Sequence, residues 1–457
     1  MDTGVVTLTR TWFDEHLQEA YERVRRTGHR EWFAKSLVIP AFPLVPVFAA
    51  FQGLGWYGAW PDGHAALGLG ITREWQWNHT DGILFLHSKT QQLRSEGLPD
   101  TTPIVAGLAF SQDSPWPGWP SVYAAIPRVH ILSRGKAMTV TVHAAIDPDH
   151  AWEHYLAQLE PIWQTLTSPN PAGASDPVPI QVTSRPSRDR WRLEVERATA
   201  HIRSGDFDKV VLARALTLSF KEPVNVSVTL DNLKVQNPDA TVFGFRRGGA
   251  VFLGATPELL ANVQGNRLDS MSLAGSAPRG ITPEEDLSYA AVMKGDPKTQ
   301  REHAVVREHV RNALDPLTES ITMPDAPLLK RLPTVQHLMT PIHAILKPTA
   351  SIWSVAHQLH PTPAVAGYPV ETARRYIVEQ AEPFTRGWYA GSFGFSQLNG
   401  DGQWMVALRS GIVKDDTVKI FAGCGIMAES NPDAELAESD WKFGTMLSAL
   451  ELEGELY

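Results

Sequence analysis

Two glutamates and a lysine near the end of the chain are spaced to share one face of a helix. Asn431 is a favourable N-cap and Pro432 a favourable first helical residue, so a helix is predicted to begin there. At about 100° per residue, Glu435, Glu438 and Lys442 lie on one stripe beside an apolar stripe. This places them at the edge of the buried face, where the wall of a cleft would be. The alternative is a solvated face with a Glu438–Lys442 pair worth about 0.3 kcal/mol.

Three further charged residues are predicted to lie in apolar surroundings, where they could carry protons or bind a cation. Lys209 opens an apolar, β-rich run typical of a buried strand, although a lysine there can also extend to solvent. Glu258 lies between Pro257 and an apolar run, so it is either at a strand mouth or partly buried; if it is buried, its pKa rises and it can carry a proton at neutral pH. Glu302 lies on the apolar face of a helix predicted over about 299–314. It therefore requires a metal ion or a partner charge, such as a salt bridge within the core.

Glycines and an arginine lie close to these charged residues in the predicted elements. Gly423 and Gly425 are predicted to form a tight loop before the C-terminal helix, and Arg409 ends a strand of the preceding hairpin. Gly275 lies in the stretch 272–280, which is either a plain loop or a segment that a ligand approaches closely.

The composition restricts the class of protein. The chain has 457 residues and a formal net charge of −9, which argues against a nucleic-acid binder and requires local cations around any anionic ligand. Because Cys424 is the single cysteine, we expect no disulfide framework and no thiolate zinc site, and we interpret Cys424 as a small packing residue. The sequence shows no signal peptide and no apolar run that would span a bilayer, so a cytoplasmic protein without membrane contact is expected.

A proline-rich stretch at 167–186 predicts a linker or long surface loop and the main boundary of the chain. It separates an N-terminal α+β portion, 1–185, from the portion 186–457 that contains the charged residues. The tryptophans of the first portion are interpreted as packing residues, since no basic stripe accompanies them. In this portion we predict a helix near 10–35, an aromatic-pinned loop at 114–120, and strands at 83–87, 104–110, 122–126, 129–132 and 138–143.

The second portion is predicted to be a sheet with helices. A helix at 191–204 precedes the strand that begins at Lys209, and hairpin turns are predicted at 246–249, 265–266, 399–402 and 415–416. Because most of these strands are joined by short turns, the sheet should be largely antiparallel. The predicted fold class is therefore α+β.

Eight segments, in this order, resemble the chorismate-utilising enzymes, and among them the isochorismate synthases. They are DKVVLAR at 208–214, GATPELL at 254–260, LAGSAPRG at 273–280, QREH at 300–303, LHPTPAVAG at 359–367, ALRSG at 407–411, AGCGI at 422–426, and ELAE at 435–438 followed by Lys442. The resemblance implies the anthranilate/aminodeoxychorismate synthase-type fold, in which antiparallel sheets pack face to face with helices outside. The tryptophan-rich region is similar to the variable N-terminal portion of this family.

The resemblance also implies a magnesium-dependent substitution on the ring of chorismate. Lys209 would be the general base that activates a water for attack at C2, and Glu258 the general acid that protonates the hydroxyl leaving C4. The implied Mg²⁺ ligands, direct or through water, are Glu302, Glu435 and Glu438. The implied substrate-binding positions are Gly275, Ala366, Arg409, Gly423 and Lys442.

Small differences favour one branch of the family. Aminodeoxychorismate synthases carry an attacking lysine where this chain has Ala274, so Lys209 with Ala274 favours water as nucleophile and no glutaminase subunit. The stretch 298–302 lacks a second acidic residue that some relatives have, which leaves the outer shell of the metal open. The resulting hypothesis is a monomeric isochorismate synthase that feeds menaquinone or a siderophore. The alternatives are a salicylate synthase, which also eliminates pyruvate, and a non-catalytic chorismate- or Mg²⁺-binding protein.

Overall fold

The structure, a computed structural model, describes residues 3–113, 115–170 and 178–452. Short 3₁₀ turns cover Thr80–Leu84 and Asp315–Leu317, and a π-helical turn covers Ile377–Ala381. The α-helices of the described residues are α1 (Thr3–Thr27), α2 (Val45–Ala50), α3 (Phe85–Ser95), α4 (Trp152–Thr167), α5 (Arg188–Ser204), α6 (Val226–Gln236), α7 (Pro283–Gly295), α8 (Pro297–Leu314), α9 (Ile352–Leu359), α10 (Val370–Tyr376) and α11 (Pro432–Ala449).

The strands form one connected antiparallel system. They are β1 (Glu31–Pro40), β2 (Gly55–Ala59), β3 (Ala65–Trp77), β4 (Pro103–Leu108), β5 (Val122–Arg134), β6 (Ala137–Ile146), β7 (Gln181–Arg185), β8 (Lys209–Ser219), β9 (Thr241–Arg247), β10 (Ala250–Thr256), β11 (Leu259–Gln264), β12 (Arg267–Pro278), β13 (Thr318–Thr322), β14 (Leu328–Arg331), β15 (Val335–Leu346), β16 (Gly367–Tyr368), β17 (Ser392–Gln397), β18 (Gly402–Val406), β19 (Ser410–Lys414) and β20 (Thr417–Ile426). Every strand pairing among the described residues is antiparallel, which confirms the prediction made from the short turns.

Two ladders of strands diverge from β5. The first ladder runs β3–β2–β9–β10–β19–β20–β8, and β7 and β16 pair with the other edge of β8. The second ladder runs β4–β17–β18–β11–β12–β15, and β13 and β14 pair with the other edge of β15. β6 pairs with β5 and with β1. Because β2 pairs with β9 and β4 with β17, both ladders combine strands from the portions 1–185 and 186–457.

Aromatic side chains fill the space between the two ladders. The ring of Phe393 in β17 lies 4.2 Å from that of Phe243 and 5.5 Å from that of Phe245, both in β9. Helices cover the outer face of the first ladder, where Phe13 of α1 and Phe443 of α11 belong to a second apolar core with Leu216 of β8. The face-to-face packing with helices outside is therefore confirmed. None of the helices in the described ranges has the length and apolarity to cross a membrane.

Several predicted elements of the first portion are wrong or need new boundaries. Residues 83–87 are helical, in the Thr80–Leu84 turn and α3, because a short apolar run does not distinguish a strand from a buried helix. The predicted helix near 10–35 ends at Thr27, and β1 begins at Glu31. The two strands predicted at 122–126 and 129–132 are the single long strand β5.

The predicted loops also differ in part from the structure. Residues 181–185 of the predicted linker form β7, and 171–177 lie outside the described residues, as does Ser114 of the aromatic-pinned loop. Gly423 and Gly425 are in β20, paired with Ala213 and Val211, so the predicted glycine loop is wrong. Glycine occurs in this strand because neighbouring side chains occupy the space that its own side chain would need.

A buried ion pair fixes the first ladder to the C-terminal helix. Arg214, in the middle of β8, is fully buried and lies 2.5 Å from Asp440 of α11. Asp440 also pairs with Arg188 at 3.2 Å, and the Arg214 guanidinium bonds to the Ser439 hydroxyl at 2.6 Å. The strand that begins with Lys209 and the helix that carries Glu435 are thereby held in a fixed relation.

Candidate active site

A pocket with an empty volume of about 660 Å³, part of which is open to solvent, lies between the ends of the two ladders. We call it the central pocket. One side is formed by β8 and β20, the other by β12 and β15, and α8 and α11 close it. Its lining includes the predicted residues Glu258, Gly275, Glu302, Arg409, Gly423 and Lys442, together with Ala274, His337, Tyr389, Arg386 and Gly425.

Lys209 lies directly behind the wall of the central pocket. It is fully buried, so it does not extend to solvent, and its Nζ lies 3.1 Å from Glu302 Oε1. Burial alone would raise the pKa of Glu302, but the ammonium groups of Lys209 and Lys298 hold it below its usual value. A Cβ on Gly425 would lie 2.1 Å from Glu302 Oε1, so only glycine permits this approach. The residue-based prediction of a partner charge for Glu302 is confirmed.

Glu258 is the second buried carboxyl group of the central pocket. It lies between β10 and β11, and only 3% of its surface is exposed. Burial raises the pKa of Glu258 to about 8, against the opposing charges of Lys209, Lys330, Arg409 and Lys442. The carboxyl group is therefore protonated at neutral pH and can donate a proton.

Arg409 presents an unused donor to the central pocket. Its Nη2 donates to Nε2 of His337 at 3.2 Å, and its buried Nη1 has no hydrogen-bond partner among the described residues. Burial and the Arg409 charge lower the pKa of His337 well below its usual value, so the imidazole is neutral. We assign its proton to Nδ1, which lies 3.2 Å from the Gly275 carbonyl oxygen. Arg409 itself adopts φ of +50°, a strained backbone conformation that aims its side chain.

A second buried arginine in the lining, Arg386, uses four of its five N–H groups in bonds within the wall. Arg386 forms a two-point ion pair with Glu382, and its remaining bonds go to the carbonyl oxygens of Val365 and Val211. Arg386 therefore stabilises the wall, whereas Arg409 can bind a carboxylate. Tyr389 stacks on Phe421, with ring centroids 4.7 Å apart, and burial raises the pKa of its hydroxyl to about 12.

Lys442 is fixed at the far end of the acidic stripe. Its Nζ donates to the Gly423 carbonyl oxygen at 2.7 Å and to Glu438 Oε1 at 2.6 Å. Burial alone would lower the pKa of Lys442, but Glu438 holds it above its usual value. The helix pair considered from the sequence exists, but its exposed side-chain fractions of 13% and 18% place it in the wall and not on a solvated face.

Glu435 and Glu438 form a close carboxylate pair. Burial and the Glu438 charge raise the pKa of Glu435 to about 7. One Glu435 oxygen accepts a bond from Lys298, whereas Oε2 is buried and without a hydrogen-bond partner among the described residues. Glu302, Glu435 and Glu438 all raise the pKa of Lys298, so the three carboxylates surround one ammonium group. A region that gathers anionic oxygens in this way suits a hard divalent cation.

Six of the ten predicted site residues line the central pocket, whereas Lys209, Glu435, Glu438 and Ala366 do not. Ala366 is fully buried, and its carbonyl oxygen accepts a bond from the amide of the lining residue Val211. Lys298, His337 and Lys330 also belong to the site, although no pattern in the sequence predicts a role for them. The sequence feature that could have identified them is a charged or polar side chain in an otherwise apolar strand or at the start of a helix. That signal does not identify a partner.

The two antiparallel ladders enclose a pocket whose lining includes the cationic side chains of Arg409 and Lys442. A family model described as chorismate binding enzyme matches residues 19–451, and the chain belongs to this family. The family resemblance noted in the eight sequence segments is thereby confirmed.

Similar proteins of the family include named isochorismate synthases. Isochorismate synthase MenF of Bacillus subtilis is 37% identical over 275 residues, covering 60% of this chain and 58% of that protein. The salicylate biosynthesis isochorismate synthase of Pseudomonas aeruginosa is 41% identical over 275 residues, covering 60% of this chain and 57% of that protein. The match thus spans under three fifths of the length of these relatives.

Solved structures show the same fold over nearly the whole chain. The menaquinone-specific isochorismate synthase MenF of Escherichia coli has a TM-score of 0.79 and 28% identity, covering 95% of this chain and 99% of that one. Anthranilate synthase component I of Streptococcus pneumoniae has a TM-score of 0.64 at 21% identity, covering 90% of this chain and 92% of that one. The predicted anthranilate synthase-type fold is confirmed.

Proposed function

We propose that this protein is an isochorismate synthase, an isomerase that converts chorismate to isochorismate. The observation that carries the proposal is the pairing of a protonated buried carboxyl group, Glu258, with a buried amine, Lys209, at one small pocket. Ala274 in the lining offers no amine to attack the ring. Water is then the nucleophile, so the reaction needs no ammonia and no glutaminase subunit. A monomeric state and a cytoplasmic location stay predictions.

The cations of the pocket would bind the two carboxylates of the substrate. Arg409 offers the unpaired Nη1, and Lys442 is held in its charged form by Glu438. The Gly275 and Gly423 backbones line the same pocket and allow a ring to approach closely. Binding at these points would orient the ring between the two proton-transfer groups.

The two proton transfers would occur at named atoms. Lys209 Nζ, an ammonium group in the ion pair with Glu302, would first lose one proton to solvent and, as the neutral amine, would then take a proton from the water whose oxygen bonds to C2. Glu258 gives its proton to the hydroxyl that leaves C4, so one water enters and one water departs. The ion pair of Lys209 with Glu302 has to open for this, because Lys209 lies behind Glu302.

The carboxylates fit the magnesium ion that the family resemblance implies. The unpartnered Oε2 of Glu435 and the raised pKa of that carboxyl group both show local excess of anionic oxygen. Glu435 and Glu438 would hold the ion, directly or through water, and Glu302 would be a further ligand. When bound, Mg²⁺ would neutralise this excess and stabilise negative charge on the substrate.

The test is an assay of the purified protein with chorismate, with product analysis by chromatography. We expect isochorismate in the presence of Mg²⁺, loss of turnover with EDTA, and recovery when Mg²⁺ is restored. Salicylate as the main product would replace the proposal with salicylate synthase. Chorismate binding without turnover would instead support the non-catalytic alternative.

A further inference from the structure

Each carboxyl group of the proposed magnesium site is paired with one lysine of the chain. The three ion pairs are Lys209–Glu302 at 3.1 Å, Lys442–Glu438 at 2.6 Å and Lys298–Glu435 at 2.5 Å. The carboxylates that would hold a divalent ion are therefore already bonded to ammonium groups. An incoming ion has to compete with at least one of these lysines, because two cations repel each other strongly in a buried site.

The three lysines differ in their freedom to leave the carboxylates. Lys209 is fully buried, and Lys442, with 13% of its side chain exposed, has a second bond to the Gly423 carbonyl oxygen at 2.7 Å. The Lys298 side chain is 25% exposed, and its ammonium group bonds only to Glu435 among the described residues. A lysine with a partly exposed stem can move its ammonium group into water by rotating that stem. Of these three lysines, Lys298 is therefore the one that an ion can displace without opening the core.

The start of α8 keeps the backbone of Lys298 in place while its side chain moves. The Asp296 side chain caps this helix by accepting bonds from the amides of Lys298, at 3.4 Å, and of Thr299, at 2.9 Å. The ammonium group is thus tethered close to the carboxylates, at a high effective concentration. Burial alone would lower the pKa of Lys298, but the three carboxylates raise it above its usual value, so the group stays cationic among them.

We propose that Lys298 is an internal competitor of Mg²⁺, whose ammonium group holds the Glu435 carboxylate until the ion displaces it into solvent. The inference rests on the proposed magnesium site and concerns how that site is filled. At equal distance a divalent ion is attracted about twice as strongly as an ammonium group. A lysine that stayed on one Glu435 oxygen while the ion took the unpartnered Oε2 would be repelled across a single carboxylate. The competition lowers the apparent affinity for Mg²⁺ in proportion to the fraction of the protein in which Lys298 is bound.

The direct test follows Lys298 by chemical labelling. The intact protein, treated with EDTA, dialysed and kept free of chorismate, is exposed to an amine-acetylating reagent with and without saturating Mg²⁺. We expect acetylation of Lys298, measured by peptide mass spectrometry, to become at least about tenfold faster with Mg²⁺, because a lysine released into water regains its ordinary pKa of about 10.4. Lys294, an exposed lysine at the end of α7, is the internal control and should not change. A Lys298 rate that stays the same or falls would overturn the inference.

The affinity for Mg²⁺ is a second, independent measurement. In Lys298→Met the competitor is gone, so Mg²⁺ should bind at least about tenfold more tightly in calorimetric titrations without chorismate. Lys298→Arg keeps the positive charge and should remain within about threefold of wild type. Lys294→Met removes the same charge from an exposed position and should change the affinity by less than about twofold.

Three results of the titrations would contradict the inference. Weaker binding of Mg²⁺ to Lys298→Met than to wild type would show that the lysine supports the metal site. Equal tightening in Lys298→Met and Lys294→Met would show that a long-range loss of charge is sufficient. Absence of Mg²⁺ binding to all of these proteins would also overturn the inference, whereas isochorismate formation by wild type would still support the proposed function. The two proposals can therefore fail separately.

Discussion

Glu258 and Glu302 are carboxyl groups of one pocket, with 3% of Glu258 and 13% of the Glu302 side chain exposed, yet their pKa values shift in opposite directions. Burial raises the pKa of Glu258 to about 8, whereas the pKa of Glu302 is lowered. The difference is a contact, because Glu302 has the Lys209 ammonium at 3.1 Å. The cations around Glu258 act at longer range and do not offset its burial. Burial alone therefore does not decide whether a carboxyl group is protonated and can act as an acid, or is ionised and can bind a cation. The distance to the nearest cation decides it.

Removing the nearest cation would make Glu302 resemble Glu258. In Lys209→Met, the buried Glu302 loses its partner and its pKa should rise, while the base of the proposed reaction is lost. We expect kcat to fall about 10³-fold or more, measured by isochorismate formation. Lys414→Met is the control, because Lys414 also lies at a strand end of the first ladder but is exposed. Activity within tenfold of wild type in Lys209→Met would contradict the role of the amine.

The substitution Glu258→Gln would remove the proton that Glu258 is proposed to donate. The amide keeps the shape of the carboxyl group but cannot donate an acidic proton, so kcat should fall about 10²-fold or more while KM changes little. Equal losses in Glu258→Gln and in an exposed substitution, Glu284→Gln, would show that the acid is elsewhere.

Stability should report the protonation of Glu258 independently of activity. The folded protein holds this proton up to about pH 8, whereas the unfolded chain releases it near pH 4.3, its usual value. The folded state therefore binds more protons across this window, and Glu258 lowers the free energy of unfolding as the pH rises. Relative to wild type, Glu258→Gln should gain stability between pH 5 and pH 8, on the order of a few kcal/mol in denaturant titrations. A difference that does not change with pH would contradict the raised pKa.

The smallest expected effect comes from a lysine behind Glu258. Lys330 donates to the carbonyl oxygen of Pro257 at 2.8 Å, and its charge opposes the rise in the pKa of Glu258. In Lys330→Gln this pKa should rise further, so the alkaline fall in kcat/KM should move up by about 0.5 pH unit. Lys347→Gln is the matched control, because Lys347 donates to a proline carbonyl in the same way but is far from the pocket. A downward shift, or an equal shift in both variants, would refute the role of Lys330.

The sequence was sufficient for elements with a strong local signal. The helix after Asn431, with its side-chain cap to the amides of Asp433 and Ala434, and the buried strand from Lys209 were predicted from N-cap chemistry and apolar runs. The glycine loop at 423–425 was wrong because strand pairing with β8 overrides the preference of glycine for turns. Local propensity contains no information about such pairing.

The chemical roles of single residues depended on contacts between distant parts of the chain. Glu302 could be placed on an apolar face from its helical spacing, but its partner Lys209 is 93 positions away and no spacing rule connects them. Lys298 was noticed only because the residues after it differ from some relatives. Its position amid three carboxylates emerges only from the fold.

The ion pair of Arg214 with Asp440 has a mechanical consequence. Lys209 lies five residues before Arg214 on β8, and Glu438 lies two residues before Asp440 on α11. This single ion pair therefore sets the position of the Lys209 amine relative to the acidic helix. Breaking this ion pair would leave every reacting group chemically unchanged but would alter the relative positions of Lys209 and the α11 carboxylates. A substitution that breaks this ion pair should therefore leave ligand binding largely intact but lower kcat.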